Sequence, residues 1–347
     1  MIHLLMPGDI SQQLEKMVNA ALKDKNYIVI KNPQEMPDLR NKKLLFAIEL
    51  NSIGINIPLM EMMSELTKRG QDSLLGCTAA LLIHSNSDLY SKSTAANIIF
   101  SANQLGCSFI GHPLVEALGN LKNLRTWQKT LELSLEEISL KLSHKLATRL
   151  IEFKPIKYRD PKLAYLHSSF RKTSNTLMLW QMVEWELNNY HIEELYIENG
   201  SVFDCFGCSY KACLEYGKNR NCRYGGLMTE KIIPVIEASD VLIWICPNYN
   251  DSISSNLMAV INRLTTLYRQ ISFNNKMIFA IIVSGNSGSD SIAKQLIDAL
   301  NINKGFILPP YFCLIETSND VGSILKVANI KEKAGLFAKN INNIISN

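Results

Sequence analysis

Three loops of this chain follow apolar runs and are crowded with hydroxyl, amide or glycine residues, and a fourth segment carries four cysteines. In the first, Leu163-Ala-Tyr-Leu-His reads as a buried strand. Ser168, Ser169, Thr173, Ser174, Asn175 and Thr176 follow it, and Met178, Met182 and Trp185 open a helical pattern. Free backbone N–H groups at a helix start, ringed by such side chains, make an anion site suited to phosphate. The plainer alternative is a polar turn with Ser174 or Asn175 as the helix cap. The second loop, Pro247-Asn-Tyr-Asn-Asp-Ser-Ile-Ser254, ends the apolar run 241–246. Backbone amides exposed at the carboxyl end of a strand suit the polar edge of a flat ligand, although Asn250 and Asp251 could simply form a turn. The third, Ser284-Gly-Asn-Ser-Gly288, has two glycines that let backbone approach a ligand closely.

Cys205, Cys208, Cys213 and Cys222 are spaced C-x2-C-x4-C-x8-C. Four thiols at this spacing could hold an iron–sulfur cluster or zinc, or serve as free redox-active thiols. Cys246 and Cys313 lie in apolar runs and read as core residues, while Cys77 and Cys107 have no partner at ligand spacing.

The elements that must position these loops alternate between short β-branched or Leu-rich runs and longer helical patterns. Strands are expected at Ile2–Met6, Tyr27–Ile30, Leu44–Leu50, Ala79–His84 and Ser108–Gly111 in the first half. In the second half they fall at Leu163–His167, Glu194–Ile197, Val241–Cys246, Ile278–Ser284 and Phe306–Leu314. One long helix is expected over 128–150 and another ends near Ile345. Continuous apolar strands between helices imply parallel sheets covered on both faces, so the fold class is α/β, with two doubly wound five-stranded domains in tandem. The polar stretch Glu152–Pro161 marks the join, giving domains 1–152 and 153–347. Matches of Leu59, Met60, Leu66 and Thr67 with Leu257, Met258, Leu264 and Thr265, and of Asn86, Ser87 and Ser91 with Asn286, Ser287 and Ser291, suggest a tandem duplication.

The net charge of +4 over 347 residues leaves no basic block to track nucleic acid. Neither a signal peptide nor a transmembrane run is visible. Eight cysteines in such a chain point to a reducing, cytoplasmic setting.

The loop Ser168–Thr176 resembles the phosphate loop of the NADPH-dependent FMN reductase and iron–sulfur flavoprotein group, roughly Gly-Ser-Pro-Arg-Lys-Asn-Ser-Asn-Thr. The departures are Ser168 for Gly, Phe170 for Pro and Thr173 for Asn. Pro247, Tyr249, Ser252, Ser254, Leu257 and Arg263 fall on the family's second motif, with Met258 and Asn262 in place of its Lys and Asp. The resemblance implies a flavodoxin-like FMN domain over about 161–347. Ser169, Arg171, Ser174, Asn175 and Thr176 would hold the phosphate; Pro247, Asn248, Tyr249, Asn250, Ser252, Ser284, Gly285 and Gly288 would border the flavin. It implies an oxidoreductase passing electrons from NAD(P)H through FMN to a small-molecule or protein acceptor, working as a homodimer. The alternatives are an electron carrier with a [4Fe–4S] cluster on the four cysteines, and a non-catalytic flavin-binding module. The relatives' cysteine motif is tighter than the one here. The first half lacks the phosphate loop: its first turn, Met6-Pro-Gly-Asp-Ile-Ser, offers Asp9 as a helix cap, and an acidic residue there repels phosphate. It is expected to be a degenerate flavodoxin-like domain.

Overall fold

The apolar runs that are buried from end to end become central strands, and the half-exposed ones become edges. The computed structural model describes residues 1–170 and 172–346 and separates into two units, Met1–Lys154 and Pro155–Asn347. In the first unit β1 (Ile2–Leu5), β2 (Tyr27–Ile30), β3 (Lys43–Leu50), β4 (Thr78–Ser85) and β5 (Ser108–Leu118) form a parallel sheet of order β2-β1-β3-β4-β5. In the second, β6 (Leu163–His167), β7 (Ile192–Tyr196), β8 (Val241–Pro247), β9 (Met277–Ser284) and β10 (Cys313–Thr317) repeat it as β10-β9-β8-β6-β7. This is the flavodoxin-like order, twice in one chain, and it places each ligand crevice where the first and third strands of a sheet part company.

The helices are α1 (Gln12–Leu22), α2 (Ile57–Lys68), α3 (Ser91–Asn103), α4 (Arg125–Leu131) and α5 (Leu135–Glu152), then α6 (Asn175–Glu186), α7 (Tyr210–Lys218), α8 (Ile233–Ala238), α9 (Ser255–Arg263), α10 (Thr265–Tyr268), α11 (Ser289–Leu296) and α12 (Ile330–Ile345). In the first unit Leu14, Met17, Val18 and Ala21 of α1 and Leu146, Ala147 and Leu150 of α5 share one core with the sheet residues Leu4, Leu45 and Leu82. Residues spaced three and four apart lie on one helix face, so these stripes seat both helices on the strands. In the second unit every residue of β8 and β9 is buried, as covered parallel strands require.

The register shows how alike the units are. Ile2 pairs with Lys43 and Lys43 with Thr78; Leu163 pairs with Val241 and Val241 with Met277. The fifth strands then break in the same way. Ser108 pairs with Thr78, the chain turns left-handed at His112, and pairing resumes at Leu114 against Leu81. Ile307 bridges Met277, Tyr311 is left-handed, and pairing resumes at Cys313 against Ala280, with identical spacing. Four expectations from sequence change here. The first unit's fifth strand runs on to Leu118 instead of ending at Gly111. The last strand is Cys313–Thr317, because Pro309 and Pro310 have no N–H for a ladder. The helix expected over 128–150 is two helices, since Glu132 is left-handed and Ser134 with Glu137 forms a capping box that starts α5 afresh. Helix α1 is capped by Ser11, whose hydroxyl accepts from the Leu14 amide, and Asp9 lies outside it.

Candidate functional site

The loop after β6 ends at the α6 N-terminus. Ser174 is the N-cap, its hydroxyl accepting from Leu177 N at 3.2 Å. Ser169 and Thr176 are both 2% exposed, and the Ser169 hydroxyl has no hydrogen-bond partner among the described residues. A buried hydroxyl left unpaired costs about 1–3 kcal/mol, so its presence beside a helix start marks a place where an acceptor belongs. The donor set fits a phosphate: a free hydroxyl, a capped first turn and the positive end of α6. Arg171, expected to join it, lies outside the described residues.

Asn175 does something other than expected. Its side-chain amide donates to the carbonyls of Ser318 (3.3 Å) and Asp320 (2.8 Å), and its oxygen accepts from Gly322 N (2.9 Å). Both side-chain N–H donors go into fastening the loop after β10 to the start of α6, which leaves only the backbone N–H of Asn175 for a phosphate.

The loops after β8 and β9 are held together by Asn248. Its amide nitrogen lies 3.0 Å from Asp251 Oδ1, 2.9 Å from Ser284 Oγ and 2.9 Å from the Ser287 carbonyl; its oxygen accepts from Asp251 N at 2.8 Å. Asn250 and Asp251 both have positive φ, and Tyr249 and Ser252 pair across them, as in a type I′ turn. The Tyr249 ring stands out, more than half exposed. Gly288, at φ +85, packs so tightly that a Cβ there would lie 1.8 Å from Asp251 Oδ1. Ser284 Oγ is buried and meets Ser289 Oγ at 2.5 Å.

Further contacts close the rim. Ser168 Oγ meets Ser254 Oγ at 2.8 Å, joining the loops after β6 and β8. Ser318 N donates to the Ser284 carbonyl at 2.8 Å, joining the loops after β9 and β10. The expected residues of the three loops are therefore linked at the carboxyl edge of one sheet, with Pro247 as the last residue of β8. The fourth loop, 318–322, escaped the sequence reading because the last strand was set too early. Its turn residues Asn319, Asp320 and Gly322 were the available signal.

The four cysteines form no disulfide and lie near one another. Cys205 is exposed and Cys208, Cys213 and Cys222 are half-buried. Burial raises the Cys213 thiol, Arg269 opposes this, and the other three sulfurs add to the rise. Cys222 Sγ accepts from Arg263 Nε at 3.4 Å, and Cys205 Sγ from Gly207 N at 3.5 Å. Among the described residues, no group of three or more His, Cys, Asp or Glu side chains is placed to hold a metal. The four sulfurs thus share a neighbourhood without converging as ligands. Arg263 is 3% exposed and faces no carboxylate among the described residues, while Asn262 binds Asp204 at 2.8 Å.

The first unit fills the corresponding place itself. Glu49, at the end of β3, accepts from Ser11 N (3.1 Å) and Ser11 Oγ (2.7 Å) at the α1 N-terminus, and lies 2.5 Å from His84 Nδ1. Burial raises the Glu49 carboxyl, but hydrogen bonds from His84 and Ser11 outweigh it and hold the group below its ordinary value.

A flavodoxin-like crevice ringed by four loops, with a buried unpaired hydroxyl beside one helix start, is the candidate site of the second unit. Residues 161–320 match the family model described as NADPH-dependent FMN reductase. No curated protein matches the sequence. Among solved structures, RosB with the bound intermediate 8-demethyl-8-formylriboflavin-5'-phosphate is similar at 14% identity, over 53% of this chain and 78% of that one, with a TM-score of 0.40. The Trp repressor binding protein from Bacillus subtilis shares 17% identity over 50% of this chain and 95% of its own, with a TM-score of 0.34. An azoreductase from Bacillus anthracis str. Sterne shares 11% over 53% and 99%, at 0.37. No helix among the described residues is long and apolar enough to cross a membrane.

Proposed function

We propose that the protein is an FMN-dependent oxidoreductase that takes electrons from NAD(P)H and passes them to an acceptor. The observation that carries this is the buried, unpartnered Ser169 hydroxyl beside the α6 N-terminus, within a rim of four interlocked loops. FMN, when bound, supplies the two-electron chemistry with the nicotinamide. Ser169, Ser174 and the first-turn amides of α6 hold the phosphate. Asn248 fixes the loops after β8 and β9 before any ligand arrives, so little ordering is lost on binding. Asn175 keeps the loop after β10 in place at the phosphate end. No side-chain acid or base is required of the chain: its part is to bind and orient the reacting groups.

The test is the absorption spectrum of the purified protein, before and after anaerobic addition of NADH or NADPH. A bound flavin bleached by either nucleotide supports the reading. Protein that retains no flavin and does not take up added FMN overturns it.

A further inference from the structure

The segment that carries the four cysteines is also rich in exposed aromatic side chains. Phe203, Phe206, Tyr210 and Tyr224 are 64%, 53%, 67% and 45% exposed. The rings of Phe203 and Phe206 lie 5.5 and 6.1 Å from that of Tyr224. The Arg223 guanidinium lies over the Phe206 ring at 3.5 Å and that of Arg269 over the Tyr210 ring at 4.5 Å. Contiguous exposed apolar surface of this kind marks a contact site, and aromatic residues with arginine are the types enriched at protein interfaces.

The charge on this surface selects the partner. Lys211, Arg223 and Arg269 form no ion pair among the described residues, and Arg263 lies behind them, 5.9 Å from the Tyr224 ring centroid. Glu215 pairs with Lys218 at 2.7 Å, and Asp204, hydrogen-bonded to Cys205 N and Asn262, is outnumbered by the unpaired cations Lys211, Arg223 and Arg269. The exposed face is therefore aromatic and cationic. A second copy docking through the same patch would set cations against cations. An acidic protein surface complements it.

The place of the patch gives the partner a task. Helix α9 runs from Ser255, beside the loop after β8, to Arg263 at the patch. Eight residues of rise make this about 12 Å. We propose that the aromatic and cationic surface of 203–224, with Arg269, docks an acidic one-electron carrier protein that is the acceptor for the FMN reaction. This rests on the function proposed above. In balance, one NAD(P)H and two oxidised carriers give NAD(P)+, one proton and two reduced carriers, each carrier gaining one electron in its own encounter.

The experiment uses the full chain as purified, with an acidic plant-type [2Fe–2S] ferredoxin as probe and a basic cytochrome c as control. Calorimetric titration should show ferredoxin binding that weakens by about tenfold or more between 20 and 300 mM salt, as expected of charge-steered docking. Arg223→Glu with Arg269→Glu, and separately Phe206→Ala, should weaken it about as much at low salt. Their NAD(P)H oxidation with ferricyanide and their flavin content should be unchanged. Binding that ignores salt and these variants overturns the proposal, as does equal binding of the basic control. So does a dimer in light scattering that the charge reversal splits, or an oligonucleotide that occupies the patch more tightly than ferredoxin. Protein without flavin that still binds ferredoxin here removes the FMN reading and leaves the docking surface standing. Protein with flavin that binds no ferredoxin removes the docking surface alone.

Discussion

Glu49 and Ser11 occupy in the first unit the relationship that a ligand phosphate and its helix would have: the carboxylate accepts both the amide and the hydroxyl of Ser11 at the start of α1. In the second unit the matching strand position, set by the common register, is Pro247, and the helix start keeps a buried hydroxyl free at Ser169. The first crevice carries its own anion at this strand position, and the second carries proline. The full chain is therefore expected to bind one FMN, and Ser169→Ala with Ser174→Ala should remove that site without revealing a weaker second one. Equilibrium titration of flavin fluorescence checks both statements. A second micromolar site surviving in the variant would show that the first unit binds flavin after all.

The same carboxylate makes the first unit sensitive to acid. Glu49 is held below its ordinary value of 4.5 when folded, so its contribution to stability is complete above that value and is lost as pH falls through the folded one. Glu49→Ala leaves the Ser11 amide without its acceptor, while Ser11 Oγ keeps His84 Nδ1 at 3.0 Å, and should cost about 1–3 kcal/mol at pH 7. The difference between wild type and variant should shrink as pH falls below about 4.5. Urea unfolding at pH 7, 5 and 3.5 measures it; a difference that stays constant over this range refutes the assignment.

The sheets were legible because their strands are short apolar runs between helical patterns, a signal that tertiary packing reinforces. The breaks were less so. His112 and Tyr311 take left-handed backbone that their residue types do not announce, and the strand after each resumes in polar or mixed sequence such as Leu314-Ile-Glu-Thr317. Of the site, the hydroxyl-rich loop and the Asn248 turn could be read from residue type and spacing. The uses of side chains could not. Asn175 offers the same amide whether it meets a phosphate or a backbone carbonyl, and only the fold brings residues 318–322 to it. Glu49 reads as an ordinary strand residue until β4 sets His84 beside it.

Gly288 is a position where space and backbone both demand glycine. Its φ is +85, and a methyl there would meet the Asp251 carboxylate. Gly288→Ala should destabilise the protein by more than about 1 kcal/mol, since alanine is strained where φ is positive. Adding Asp251→Ala should recover part of the loss, because it removes the clash and leaves the backbone strain. Thermal unfolding of the single and double variants decides this, and a double variant no more stable than Gly288→Ala would show that the contact with Asp251 is not the cause.

Ser169 and Asn175 are a few residues apart in one loop yet should respond differently when removed. Ser169 Oγ is buried and unpaired, so in the proposed function its bond is made to the ligand phosphate. Ser169→Ala should weaken FMN binding by about 1.5–3 kcal/mol, the range for hydrogen bonds to charged groups. Riboflavin, which has no phosphate, should bind as before. Asn175 spends its hydrogen bonds on Ser318, Asp320 and Gly322, so Asn175→Ala should loosen the loop after β10 and weaken FMN and riboflavin by similar factors. Its backbone amides in that loop should also exchange faster with solvent, which hydrogen exchange detects without any ligand. A variant at Asn175 that loses FMN selectively, with exchange at 318–322 unchanged, would return that side chain to the phosphate.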